Sequence, residues 1–350
     1  MLLRCTDCEL EHPNEFRLRC SCGGPLIIKN EFDRSFEEIL EPERLDMRRY
    51  SGFLPVDRRY LPDLVPPLVP MVEKEIGNVR VIFKLEYLMP SGSFKDRGTY
   101  ITIAKLKEEG IDEVSLDSSG NAAISLALYG RSEGVETHIF IPDDIGEGKR
   151  RILSELASET HKISGNRIEV HERALDFEDA SYVSHWYNPF FLEGTKISAY
   201  EVGEIQEVDR VLVPTGSGTL FLGMYKGFSE LSSLGVVDKV PETIAVEAKG
   251  YESLGEMSGK KSELSSGVEI IEPPRNDQMK DVLEETDGSS ISVEDEKIER
   301  AKEELLSMGF LVETTSAMAY AAFLDLLGKE EFGEEERVLI PLTGSGLKSL

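Results

Sequence analysis

The sequence predicts an α/β fold in which strands and helices alternate around parallel sheet, and three observations support this. Short apolar runs of strand type are followed by helix-period segments from Val79 onward. Glycine-rich turns come soon after several of these runs, at Gly92, Gly120 and Gly216 to Gly218. Size is the third observation, since 350 residues with 40% hydrophobic content hold two compact domains or one large α/β domain. In parallel sheets covered by helices on both faces, ligands bind outside the carboxyl ends of the strands, where such turns gather.

The chain opens with all four of its cysteines, Cys5, Cys8, Cys20 and Cys22, in the spacing C-x2-C-x11-C-x-C. Two close pairs joined by a short loop let four thiolates converge tetrahedrally, and Gly23-Gly24 permits a tight knuckle after the second pair. The pattern is similar to a zinc ribbon, in which four protein ligands leave no open position and give the metal a structural role. Two disulfides, or thiols that only cluster, are the competing readings. Residues 30–70 are rich in charge and proline and read as an arm or linker.

Residues 79–85 then form a strand and 99–109 a helix, because Ile101, Ala104 and Leu106 recur at helical spacing. A short strand at 114–116, an apolar helix at 122–129 and a strand at 137–141, ended by Pro142, follow. Next come a helix from about Thr195, a strand at 208–213, a helix at 220–231 and a strand at 243–246. The polar tract 253–295 has weak periodicity and reads as containing a mobile excursion, before a charged helix at 294–308 and an apolar one at 317–327.

Sixty-six acidic against 39 basic residues give a formal charge of −27, which opposes a nucleic-acid partner because a phosphate backbone requires a basic footprint. No run of eighteen apolar residues occurs, and Met1-Leu2-Leu3-Arg4-Cys5 turns polar too soon for a signal peptide. A cytoplasmic protein with no membrane partner is expected.

Four stretches carry chemistry. Lys95 lies in Pro90-Ser91-Gly92-Ser93-Phe94-Lys95-Asp96-Arg97-Gly98, at a strand-to-helix junction. Helix N-terminal amides attract anions, glycines admit a ligand to the backbone, and a lysine amine becomes nucleophilic where its charged form is disfavoured. This suits covalent capture of an aldehyde cofactor, although a surface loop with a solvated Lys-Asp-Arg triplet has the same spacing. Ser118-Ser119-Gly120-Asn121-Ala122 offers backbone amides to a carboxylate and an asparagine amide to a phenolic oxygen, or is a plain helix cap.

Val211-Leu212-Val213-Pro214-Thr215-Gly216-Ser217-Gly218-Thr219 runs from a buried-type strand through a glycine turn into a helix and presents consecutive amides to a phosphate, unless it is an ordinary turn. Val338-Leu339-Ile340-Pro341-Leu342-Thr343-Gly344-Ser345-Gly346 almost repeats that text, but no helix of useful length begins there, so a second phosphate site is not expected.

The string from Ser91 to Gly98 resembles the cofactor-lysine motif of fold-type II pyridoxal-phosphate (PLP) enzymes, in particular the threonine synthase family. Later segments continue the resemblance in the family's order, so it covers most of the chain after about Pro66, where Pro66-Pro67-Leu68-Val69-Pro70 resembles the segment leading into the first strand. Asn188 to Lys196 and Val312 to Ala317 resemble further signatures, the second reading as packing around the cleft.

The resemblance implies a tryptophan synthase β-like fold, two parallel-sheet α/β domains with the active site between them, plus the small N-terminal zinc-ribbon-like segment. The implied divisions are 1–30 for the ribbon, 31–85 for an arm and the start of the large domain, 86–190 for the small domain and 191–350 for the large one. Lys95 would carry the cofactor and move protons at the substrate's α and β carbons, and Asn121 would meet the ring oxygen. Gly216, Ser217, Gly218 and Thr219 would cradle the cofactor phosphate, and Thr343 would hydrogen-bond the ring nitrogen. Ser93, Ser118, Ser119, Gly120, Asn121 and Ala122 would bind the substrate. The implied reaction is that of a carbon-oxygen lyase, O-phosphohomoserine and water giving threonine and phosphate, in a homodimer with PLP and structural zinc.

Several positions depart from the family pattern. An ungapped comparison puts Phe191 where arginine is common, Ser217 where asparagine is common, Ala122 where threonine often follows the asparagine, Trp186 where a small polar residue is expected, and Ser345 in place of a histidine. A dianion needs charge-assisted hydrogen bonds to offset desolvation, so either Lys149, Arg150 or Lys196 replaces the arginine or the substrate differs. The alternative activity is β-elimination or β-replacement on serine, threonine or a phosphoserine-like substrate, as in dehydratases or cysteate synthase. A regulator that binds PLP or an amino acid without turnover is the alternative of another class; the preserved Lys95, Asn121 and Thr343 count against it.

Overall fold

The computed structural model describes residues 1–143, 145–165, 167–257, 259–265 and 267–349. In chain order the first elements are β1 (Leu2–Cys5), β2 (Glu11–His12), β3 (Leu26–Lys29), α1 (Phe36–Ile39), β4 (Met71–Ile76) and β5 (Val79–Lys84). Next come α2 (Lys95–Glu108), β6 (Glu113–Asp117), α3 (Asn121–Glu133), β7 (Glu136–Pro142), α4 (Glu147–Leu156), β8 (Glu159–Ile163), α5 (Arg167–Leu175) and β9 (Ser181–Tyr182). The remainder are α6 (Pro189–Thr195), α7 (Ile197–Gly203), β10 (Arg210–Pro214), α8 (Thr219–Ser233), β11 (Glu242–Ala248), α9 (Asn276–Glu285), β12 (Ser289–Val293), α10 (Asp295–Ser307), α11 (Thr314–Gly328) and β13 (Arg337–Pro341). Two compact units result, one from Met1–Pro67 with Met89–Gly194 and the other from Leu68–Leu88 with Thr195 onward.

The first unit contains a small antiparallel sheet in the order β2-β1-β3 and a wholly parallel sheet in the order β8-β7-β6-β9. Strands β6 and β7 read as apolar runs because they are central and buried, whereas β8, Glu-Thr-His-Lys-Ile, is a half-exposed edge strand. Residues 30–70 are packed, which corrects their reading as an arm or linker. A capping box at Ser35 and Glu38 starts α1, and Met47, Tyr50 and Phe53 are fully buried. Phe53 packs against Phe32 and Phe36 at ring distances of 5.3 and 5.2 Å. The prolines set turns there, while the aromatic residues supply the burial.

In the second unit the sheet order is β12-β11-β10-β13-β5-β4. All neighbours are parallel except β4, which folds back antiparallel on β5 through Gly77-Asn78, so the expected parallel sheet is mixed. Helix α11 is buried along most of its length, from Ser316 to Phe323, as its apolar composition all round requires. Helix α10 instead buries one stripe, Ile298, Ala301 and Leu305. The helix expected from about Thr195 is two short helices, α6 ending at Thr195 and α7 beginning at Ile197.

The tract 253–295 is not a featureless excursion, for it contains α9 and β12. Strand β12 pairs in parallel with β11, from Ile244 opposite Ser289 to Ala248 opposite Val293. The start of the tract is pinned by Glu247, whose carboxylate accepts the Ser253 N–H (2.7 Å), the Ser253 hydroxyl (2.9 Å) and the Leu254 N–H (3.2 Å). Burial pushes the Glu247 carboxyl above its ordinary value, against those donors. Among the described residues no helix is long and apolar enough to cross a membrane.

Candidate active site

The first unit holds the lysine and asparagine motifs. Helix α2 begins at Lys95, four residues before its apolar period does, because Asp96 closes the preceding loop. Its carboxylate accepts the Ser91 N–H at 2.6 Å and the Ser91 hydroxyl at 2.5 Å, and its charge suits a first helical turn. The buried Ser93 hydroxyl accepts the Lys95 N–H at 3.4 Å. The Lys95 ammonium stands 4.5 Å from the centre of the Phe94 ring and 5.7 Å from that of Phe191, so two aromatic faces direct the amine.

Asn121 is likewise the first residue of its helix, α3, and Gly120 donates its N–H to the Ser118 hydroxyl at 3.3 Å. Ser125 donates its hydroxyl to Thr99 at 2.8 Å. Thr99 lies one helical turn after Lys95 and Ser125 one turn after Asn121, so this bond sets the two helix starts beside each other. Ser119 is half-exposed in the same turn, and Ala122 is buried in the wall of α3.

Phe191, which stands in an arginine's place, is buried in α6 against α2. A Cβ on Gly98 would lie 2.4 Å from the Phe191 ring, so the motif glycine is required by the phenylalanine it faces. Sequence reasoning also missed a cluster directly behind the Ser118 turn. Asp117 accepts the Tyr182 hydroxyl at 2.5 Å and lies 3.0 Å from His171 Nδ1. Its one sequence signal is an aspartate ending the strand Glu-Val-Ser-Leu-Asp; the partners are 54 and 65 residues away.

The second unit holds the two repeated turns. After β10, Gly218 takes a left-handed backbone (φ 78°) and Thr219 opens the fifteen-residue α8. The Ser217 and Thr219 hydroxyls are 3.3 Å apart at this helix start, where the first N–H groups lack intrahelical partners. A Cβ on Gly216 would meet the Val268 backbone at 2.6 Å and one on Gly218 the Met279 sulfur at 2.4 Å. The tract that was hard to read therefore packs on the glycine turn. After β13, Thr343 is buried with its hydroxyl 3.0 Å from that of Ser316, and Ser316 also accepts the Gly344 N–H at 2.8 Å. The segment Val312 to Ala317 thus packs the Thr343 turn, as expected of it.

Lys196 does not supply a spare cation. It is fully buried and paired with Glu230 in α8 at 2.8 Å. Burial alone would raise the Glu230 carboxyl, but Lys196, Lys226 and the Tyr200 hydroxyl reverse this and hold it at about 2.

The four cysteines converge, with every ligand sulfur within 4.8 Å of the others. Cys5 and Cys22 sulfurs are 3.5 Å apart and those of Cys8 and Cys20 3.6 Å, against about 3.8 Å for the edge of a tetrahedron with 2.3 Å metal–sulfur bonds. Gly23 makes the expected knuckle with φ at 92°.

Strand-borne glycine turns, a lysine at a helix start and two α/β units define a cofactor-dependent enzyme of fold type II, and a family profile described as "Pyridoxal-phosphate dependent enzyme" matches residues 65–344. The chain belongs to that family. Its curated relatives include threonine synthases. That of Synechocystis sp. is 30% identical over 322 residues, covering 86% of this chain and 84% of that protein. That of Methanocaldococcus jannaschii is 29% identical over 376 residues, covering 99% and 93%. Solved structures sharing the fold include maize serine racemase, with a TM-score of 0.70 and 20% identity over 80% of this chain and 89% of that one. A threonine deaminase from Solanum lycopersicum has a TM-score of 0.68 and 19% identity over 83% and 86%.

Proposed function

We propose that this chain is a threonine synthase, converting O-phospho-L-homoserine and water to L-threonine and phosphate. The observation that carries the reading is the Ser125–Thr99 hydrogen bond, which sets Lys95 beside Asn121 in a chain similar to threonine synthases over nearly its full length. The donor chemistry suits PLP: a primary amine, an amide, a glycine turn opening a long helix, and a buried hydroxyl. When bound, PLP supplies an electron sink for charge developing on the substrate.

Lys95 would hold the cofactor through its aldehyde, and its amine is the group that would carry protons to and from the substrate's α and β carbons. Asn121 would hold the cofactor's ring oxygen, the amides from Gly216 to Thr219 its phosphate, and the neutral Thr343 hydroxyl its ring nitrogen. Ser93, Ser118, Ser119 and Gly120 bind the substrate carboxylate, with Ala122 as apolar lining. With Lys196 buried on Glu230, the half-buried cations of α4, Lys149 and Arg150, the latter 3.3 Å from Glu147, are the ones proposed to grip the substrate phosphate. Zinc in the cysteine cluster, a homodimer and a cytoplasmic location complete the reading.

The test is to offer O-phosphohomoserine to the purified holoenzyme and follow phosphate and threonine together. Equal release of both supports the reading. Neither product, from protein with its cofactor absorbance intact, sinks it and favours the second reading, β-elimination or β-replacement. Burial of Phe191 in the arginine's place speaks for that second reading.

A further inference from the structure

A second group of metal-ligating side chains lies in the first unit, at the starting edge of its parallel sheet and away from the Ser118 turn at the finishing edge. Three neighbouring strands each begin with a glutamate, Glu113 in β6, Glu136 in β7 and Glu159 in β8. Glu113 and Glu136 are direct cross-strand partners, and Glu159 is opposite His138. Like charges so placed repel, and a cation between them relieves the repulsion.

The two histidines are held where such a cation would sit. His138 Nδ1 and His161 Nε2 are 3.1 Å apart, close to the roughly 3.3 Å between two nitrogens bound at about 2.05 Å on a tetrahedral ion. The Glu159 carboxylate places one oxygen 3.8 Å from His138 Nδ1 and the other 3.8 Å from His161 Nδ1, and one ligand atom from each of the three residues falls within 4.8 Å of the others. Aromatic stacking fixes the rings: His161 lies 4.4 Å from Phe140 with 15° between planes, and His138 lies 4.6 Å from Phe177. Behind His138, which is almost wholly buried, Nε2 is 2.8 Å from Glu113. A carboxylate on the far nitrogen assigns the proton there and makes Nδ1 the acceptor of the His161 Nε2–H, a proton that a metal bound by both nitrogens would replace.

We propose that His138, His161 and Glu159 form a binding site for a divalent transition metal of zinc type, with Glu113 as the positioning carboxylate behind His138. Two imidazoles and one carboxylate suit zinc better than calcium or magnesium, and three protein ligands leave a fourth position for water on the exposed Glu159 side. The metal would tie edge strand β8 to β7. This site is independent of the cysteine cluster and of the proposed reaction.

The test is to strip the full-length holoprotein with chelator and titrate it with Zn²⁺ by calorimetry, alongside His161→Gln, Glu159→Gln and Glu113→Gln. The wild-type chain should take up one more equivalent than His161→Gln. Glu159→Gln should weaken that equivalent, and Glu113→Gln should weaken it about 10- to 100-fold through loss of the second carboxylate. Glu159 is exposed, so its variant keeps the fold and decides the matter if His161→Gln does not fold. Equal uptake and affinity in the wild type and in every folded variant would overturn the site.

Discussion

Val-Leu-Val-Pro-Thr-Gly-Ser-Gly and Val-Leu-Ile-Pro-Leu-Thr-Gly-Ser-Gly end two adjacent parallel strands, β10 and β13, yet they lead to different structures. The first turn opens α8 through a left-handed glycine and is covered by Val268 and Met279. The second is followed by a short 3-10 turn at Gly346–Ser349, and it buries a threonine hydroxyl against Ser316. Similar text thus fixes a similar strand exit, while the element that follows decides whether the exit opens a long helix or buries a hydroxyl.

The largest way to break the contrast is to remove what anchors α8. Glu230→Gln leaves Lys196 buried without its charge partner and should cost about 3–5 kcal/mol in denaturant unfolding. The same pair sets an acid dependence. Because the folded Glu230 carboxyl is held at about 2, below its ordinary 4.5, its contribution is complete above about pH 4.5 and is lost as pH falls toward 2. Unfolding of the wild type between those values should show this loss, and Glu230→Gln should not.

Next in size is the turn itself. Gly218→Ala forces a left-handed alanine against the Met279 sulfur and should cost about 2–4 kcal/mol, with weakened cofactor binding. Gly346→Ala, in the second turn, carries no left-handed strain but brings a Cβ to 2.9 Å from the Val312 carbonyl oxygen and 3.1 Å from Leu311 Cδ1, and should cost about 1–2 kcal/mol. Equal costs would remove the contrast.

The smallest effects compare the two threonines. Thr343→Val should shift the bound-cofactor absorbance and lower kcat while costing about 1 kcal/mol of stability. Thr215 donates its hydroxyl to the Val213 carbonyl at 2.8 Å, a local bond, so Thr215→Val should leave the spectrum unchanged.

What was legible in the sequence follows from burial. Strands β5, β10 and β13 announce themselves as apolar runs because parallel neighbours and helices cover them. Strands β4, β8 and β12 lie at sheet edges, so their text, Met-Val-Glu-Lys-Glu-Ile for instance, is half polar and was not read. The Gly-Asn step between β4 and β5 was a usable hairpin signal. Within the candidate site, the glycine turns before the helices at Lys95, Asn121 and Thr219 were legible as strand-to-helix junctions, while the roles of these residues were implied only by the family resemblance. The Phe191–Gly98 contact and the Asp117–His171–Tyr182 cluster were not, since only folding brings those residues together.

The central claim is that Lys95 carries the cofactor. Borohydride reduction of the holoenzyme followed by peptide mapping should find the phosphopyridoxyl group on the peptide containing Lys95, in one equivalent per chain. The same group on any other lysine, or none at all in protein that had bound PLP, would contradict the account.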